Sequence, residues 1–303
     1  MVFRCKSLAY ATMAFGLAAC APDASNLDLV DTTSETNLPR EADGQRADLL
    51  SAFFGLDNAL PLLANRICRG GNGLDGMPVI FSTEVDHTTL QAGDFKVTTR
   101  SGQVGEMHCV SLLPATDAGE LRTALLIGEF GNAQDDPPAR VEMIGHVTSI
   151  DGTLDFKGAA VEVTALADGP SLVMAEVVSK DAEDQGLGLA QTTGDKCPAE
   201  DIAQAVRVVW AGGVRLKNGE EPGDAQRELY EITVQSESGE QRVVTPVALA
   251  DLGDNDNNHV LCMDTDDRAV SVSFPAGILI DPNGDLNPAS RVEVRNSDGG
   301  TTG

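Results

Sequence analysis

The residues best equipped for chemistry lie in one stretch, "DLGDNDNNHVLCMDTDD" at 251–267, which gathers six aspartates and three asparagines around one histidine and one cysteine. Asp254, Asp256 and Asn258 stand two residues apart, so their oxygens could alternate along a turn as hard-cation ligands. Calcium takes about six to eight oxygens of this kind. A loop of EF-hand type is excluded, because its sixth place needs Gly and holds His259, and its twelfth needs a bidentate Glu and holds Thr265. A second run, "DPNGDLNP", repeats the spacing with Asp281, Asn283, Asp285 and Asn287 and is the other calcium candidate. The alternative for both is an Asx-rich turn whose side chains satisfy their own backbone.

For catalysis, His259 is the best acid or base in the chain, because neighbouring carboxylates would raise its pKa and orient it. With Asp256 and Asp264 it would form the site of an exported hydrolase or lyase. Asp264 paired with Asp266 or Asp267 would also suit glycoside chemistry, but an aromatic content of 4% offers few rings for a sugar groove. The chain has no GxSxG elbow, HExxH, phosphate loop or Rossmann fingerprint, and His87, His108 and His146 are each isolated.

These residues must be held by strands. "MPVIFS", "DFKVTTR", "LRTALLIGEF", "ARVEMIG", "AAVEVTAL" and "SLVMAEVV" follow one another between Gly-, Asp- and Asn-rich turns. Val206, Val208 and Trp210 share one face, as do Tyr230, Ile232 and Val234, then Val270, Val272 and Phe274. Alternation with one wet face predicts antiparallel sheets and an all-β fold of two sandwich domains. The expected exceptions are a short helix carrying Leu49, Leu50, Phe53 and Phe54 on one side, and one or two helical turns in "CPAEDIAQA", where Pro198 takes the first helical position. Trp210 is expected in the core of the second domain; an exposed sugar platform is the alternative.

The N-terminus "MVFRCKSLAYATMAFGLAAC" sets Arg4 and Lys6 before a short apolar core, a secretion signal too short to span a bilayer. Its end, Leu17-Ala18-Ala19-Cys20, resembles the lipobox of bacterial lipoproteins, which implies a lipid on Cys20 as the mature N-terminus. The residue after that cysteine is Ala21 rather than Asp, which in that family implies the outer membrane. Removing residues 1–19 takes away two cations and no acid, moving the formal charge from −26 to −28. Nucleic acid is thereby excluded as a partner, since phosphate binding needs clustered Lys and Arg. The expected partners are the membrane, through the lipid, and an unidentified protein or glycan.

Four cysteines remain in the exported chain, Cys68, Cys109, Cys197 and Cys262, and an oxidising compartment favours two disulfides over zinc. Pairing Cys68 with Cys109 and Cys197 with Cys262 keeps each bridge within one half of the chain. Closing a loop of about 40 residues stabilises by roughly 4 kcal/mol in the chain-entropy account.

Residues 75–110 resemble the bacterial Ig-like domains of surface-layer and other cell-surface proteins, through the strand Val79 to Ser82, the turn Val85-Asp86, the pair Thr89-Leu90 and the strand Phe95 to Val97. His87 departs from that pattern where proline is usual, and Cys109 is extra to it. The resemblance implies an Ig-like sandwich and no particular activity. Cys197, Trp210 and Cys262 match the spacing of an antibody-like Cys, Trp, Cys signature, yet Val260 stands where a tyrosine corner has Tyr. The expected organisation is a signal at 1–19, a disordered tether at 20–46, sandwich domains at 47–168 and 169–297, and a disordered tail at 298–303.

Overall fold

The computed structural model describes residues 36–178, 197–198 and 202–295. The signal, Cys20 and the tail fall outside them. Within them the chain is all-β with two domains, one sheet of seven strands and one of eight.

Residues 36–46, expected to belong to the tether, carry a small hairpin of β1 (Glu41–Ala42) and β2 (Gln45–Arg46). Thr36 Oγ1 donates to Asp155, the Asp155 N–H donates to the Pro39 carbonyl, and Arg40 pairs with Asp48 at 2.7 Å. These bonds fix the segment to the first domain, so any tether ends earlier than polarity alone suggests.

The first domain contains β3 (Leu49–Phe53), β4 (Asp75–Phe81), β5 (Phe95–Thr99), β6 (Glu106–Ser111), β7 (Thr123–Glu129), β8 (Pro138–Met143) and β9 (Ala160–Thr164). A four-residue helix, α1 (Ala64–Ile67), sits between β3 and β4. The second domain contains β10 (Leu172–Val178), β11 (Gln204–Trp210), β12 (Glu231–Gln235), β13 (Gln241–Val244), β14 (Ala248–Ala250), β15 (Asn258–Met263), β16 (Arg268–Phe274) and β17 (Ser290–Arg295), with α2 (Asp224–Arg227) before β12.

The strand orders are β5-β8-β9-β3-β4-β7-β6 and β13-β12-β16-β17-β10-β11-β15-β14. Lettered A to G along each domain, both read C-F-G-A-B-E-D, with β13 added outside C. This is the arrangement in which an immunoglobulin sandwich opposes its A-B-E-D strands to C-F-G. Most pairings are antiparallel, as the alternation predicts. Strand A, however, pairs parallel with G in both domains, β3 with β9 and β10 with β17.

Each domain encloses its own core. Phe81 meets Phe95 and Phe156 edge-on in the first, while Trp210 and Tyr230 pack on Phe274 in the second. Trp210 is fully buried, which settles its place in the core.

The segment around Leu49 is strand β3 and not a helix. Its near-continuous apolar run reflects burial on both faces: Leu49, Ala52 and Phe54 enter the first core, whereas Leu50 packs with Ile80, Val173, Met174 and Val209 between the domains. A run apolar on both sides loses the period-two signature and cannot be told from a helix by pattern alone. A bulge in the β12–β16 pairing, between Thr233 and Val234, likewise turns Ala269 into the core and leaves Val270 half-buried. Of "CPAEDIAQA", where helical turns are expected, residues 199–201 lie outside the described residues, 197–198 and 202–203 are neither helix nor strand, and from Gln204 the chain is strand.

Both disulfides form as paired from locality, Cys68 with Cys109 and Cys197 with Cys262. Cys262 lies on strand E of its domain, so the bridge is not the B-to-F bond of antibody domains. Each packs in a small satellite of the core, with Leu60, Ala64 and Ile127, or with Ala205, Ala250 and Val260.

Candidate functional site

The acidic stretch is divided by the fold. Residues 251–257 form the loop from β14 to β15, 258–263 are β15 itself, and 264–267 turn into β16 at its far end. Asp256 and Asp264 therefore stand at opposite ends of a strand, on the order of 25 Å apart at about 3.3 Å per residue. Asp264 is exposed and Asp256 is buried. The three catalytic candidates do not converge.

His259 points into the second core. Its Nδ1 lies 2.8 Å from the Tyr230 hydroxyl, and that oxygen is 3.2 Å from Trp210 Nε1. Indole N–H is a donor only, so Trp210 donates to the Tyr230 oxygen, and the Tyr230 hydroxyl shares a hydrogen bond with Nδ1 of a neutral imidazole. Burial pushes the His259 pKa down to about 4, against a weaker opposing pull from Asp251. Burial also raises the Tyr230 phenol well above its ordinary value. Instead of a carboxylate-activated base, His259 is a neutral core residue.

The carboxylates that do meet lie at the junction of the domains. Asp117 and Glu120 belong to the loop joining β6 to β7, and Asp251, Asp254 and Asp256 to the loop joining β14 to β15. In both domains this is the connection from strand D to strand E. Two triads result, Asp117 with Asp251 and Asp254, and Glu120 with Asp254 and Asp256, each with oxygens within 4.8 Å of one another.

The loops are held there from several sides. Arg207 on β11 donates to the Ala118 carbonyl at 2.8 Å, and Asn257 Nδ2 donates to Thr123 Oγ1 and to the Trp210 carbonyl. Glu221 accepts from the Gly253 and Asn255 N–H groups, and Asp251, Gly253 and Asn255 all take positive φ. Nearby, Arg122 pairs with Glu176 of the second domain at 2.9 Å.

The cluster concentrates negative charge where water is scarce. Glu120 is fully buried; its Oε2 accepts from the Asp117 N–H at 3.0 Å, while Oε1 has no hydrogen-bond donor among the described residues. Asp251 Oδ2 is also buried without a donor. Burial first, and then the charges of Asp256 and Asp251, push the Glu120 pKa far up, with Arg207 pulling weakly the other way. Burial and Asp254 raise Asp256, and burial, Asp251 and Glu221 raise Asp254 to about 6. Such a set must take up protons or be neutralised by a cation.

Asn258 is not poised as a partner of Asp254 along a turn. Its N–H and amide both donate to Asp256, each at 2.7 Å, and hold that carboxylate in place. In the 281–285 run, Asp281 Oδ1 accepts from the Gly284 and Asp285 N–H groups, and the Asn283 amide donates to Asp285. Asn287 caps Ile278 and Leu279. Asp281 Oδ1 is thus spent on its own backbone as in an Asx-rich turn, while its Oδ2 is buried without a hydrogen-bond donor among the described residues. Asp117 and Glu120 have no local spacing to mark them, because they lie in the other domain, and Asp251 lies within the acidic stretch but outside the alternating 254, 256, 258 set. No family model and no curated protein matches the chain.

Proposed function

We propose that this chain is a lipid-anchored cell-envelope protein in which two Ig-like domains act together as a binding, adhesion or structural module, with calcium supporting the fold. The observation that carries this reading is the junction. Leu50, Ile80, Val173, Met174 and Val209 form an apolar seam between the domains, rimmed by the bonds of Arg122, Arg207 and Asn257. Inter-domain contacts are commonly polar and mobile, so an apolar seam favours a rigid two-domain body over two beads on a linker. The repeated C-F-G-A-B-E-D order supports kinship with the bacterial Ig-like domains that residues 75–110 resemble. The lipid on Cys20 would place that body at the outer membrane, facing a protein or glycan ligand.

The hydrolase or lyase reading has less support, because His259 is sealed in the core and Asp264 is remote from it. Two measurements test the proposal. Expressed in a bacterial host with labelled palmitate, the full chain should carry label and sediment with membranes, and Cys20→Ala should do neither; an unlabelled, soluble wild type would sink the anchor. Calcium in place of EDTA should raise the melting temperature of the protein, and an unchanged transition would remove calcium from the reading.

A further inference from the structure

We propose that one calcium-class cation binds between the two topologically equivalent loops, ligated by Asp117 and Glu120 of the first domain and by Asp251, Asp254 and Asp256 of the second, and that it locks the domains together. This rests on the calcium reading above and adds to it which residues hold the ion and what the ion does.

Three observations carry the assignment. The first is spacing: oxygens about 2.3–2.6 Å from a calcium ion lie up to roughly 5 Å from one another, and both triads meet that limit at 4.8 Å. Asp254 belongs to both, so one ion beside it would reach ligands on either loop. The second is the state of Glu120. Its side chain is fully sequestered, its Oε1 lacks a donor, its side-chain neighbour Asp251 is a second carboxylate at hydrogen-bond range that has no proton of its own to give when ionised, and the same side chain contributes an oxygen to the triad with Asp254 and Asp256. A buried acceptor left unpaired is costly, and a cation satisfies it without requiring a proton. The third is charge. Five carboxylates gather here, and Arg207, the cation that acts on Glu120, is also committed to the Ala118 carbonyl and, at 3.9 Å, to Glu176.

The donor set is all oxygen and all anionic, which selects a hard divalent ion over zinc or copper. Its ligands come from loops far apart in sequence, so an ion that needs both loops binds only the docked arrangement. Binding to the native state then stabilises the junction by mass action.

The competing arrangement is a proton shared between Glu120 and Asp251, which interact closely enough to raise the Glu120 pKa. The experiment separates the two. The chain lacking residues 1–20, which retains every described residue, is melted at pH 7.5 with excess calcium chloride and with EDTA, as wild type, Asp117→Asn, Glu120→Gln and Asp254→Asn. The expected result is a calcium-dependent rise of about 5–10 °C for wild type at a hundredfold excess over Kd. That rise should be largely lost in all three variants, including the two in the first domain. In EDTA, Glu120→Gln should melt no lower than wild type, because a glutamine can be buried there without taking up a proton or a cation, so loss of the response cannot be put down to misfolding.

If the rise survives in Asp117→Asn and Glu120→Gln but fails in Asp254→Asn, the ion belongs to the 251–256 loop alone, and the shared site is overturned while the calcium reading stands. If wild type shows no rise, both are overturned. Stabilisation of that wild type by mild acid, absent from Glu120→Gln, would then identify the shared proton.

Discussion

At the scale of single residues, histidine 259 shows how far environment outweighs neighbours in sequence. Carboxylates on either side of it along the chain suggest a raised pKa, yet the ring turns away from them into the core, where burial holds it near 4. In the unfolded chain an ordinary histidine titrates near 6.5. Below that pH the unfolded state takes a proton that the native state refuses, so the stability associated with neutral His259 is fully present above about 6.5 and is lost as pH falls toward 4. Its hydrogen bond to Tyr230 makes the same point energetically. Tyr230→Phe would strand both Trp210 Nε1 and His259 Nδ1 in the core, and each buried unsatisfied group costs about 1–3 kcal/mol. Urea unfolding at pH 7.5 should show a loss of at least about 2 kcal/mol. A loss within about 0.5 kcal/mol would mean that the three side chains do not form one buried network.

At the scale of elements, the strands that the sequence discloses are those with one wet face. β5, with Phe95, Val97 and Thr99 inward, and β12, with Ile232 and Val234 inward, alternate cleanly and are readable from their pattern. β15 is buried throughout and begins inside a polar stretch, so "NHVLCM" reads as part of a loop until its pairing with β11 and β14 is known. β3 is hidden for a related reason, since the second domain covers its outer face. Disulfide pairing was legible from locality alone. The acidic junction was half legible: the density of aspartates at 251–256 flags one loop, but only the strand order reveals that Asp117 and Glu120 sit on its counterpart.

Gly119, in that counterpart loop, tests how tightly the elements fit. Its φ is +88°, and a Cβ there would run into the Arg207 guanidinium of the other domain. Gly119→Ala should therefore pay twice, for a left-handed backbone and for displacing Arg207 from the Ala118 carbonyl. A cost of about 2 kcal/mol or more is expected. Because the displaced group spans the junction, proteolysis between the domains, around residues 165–171, should also become faster. Destabilisation without faster cleavage there would confine the effect to the loop.

At the scale of the whole molecule, the net charge of −26 acts in two separable ways. Most acids are solvated and repel one another through water, where salt screens them: the Debye length falls from about 10 Å at 0.1 M to about 3 Å at 1 M. The junction carboxylates are different, since mobile ions in bulk solvent reach buried groups far less effectively. Raising sodium chloride from 0.1 to 1 M in EDTA should therefore increase the melting temperature by relieving surface self-repulsion. The increase should be nearly the same for wild type and for Glu120→Gln, because the side chain replaced is buried out of reach of screening. A markedly larger increase for wild type would show that monovalent salt enters the cluster, and the junction would then be an open acidic cleft instead of a site that discriminates for a tightly held divalent ion.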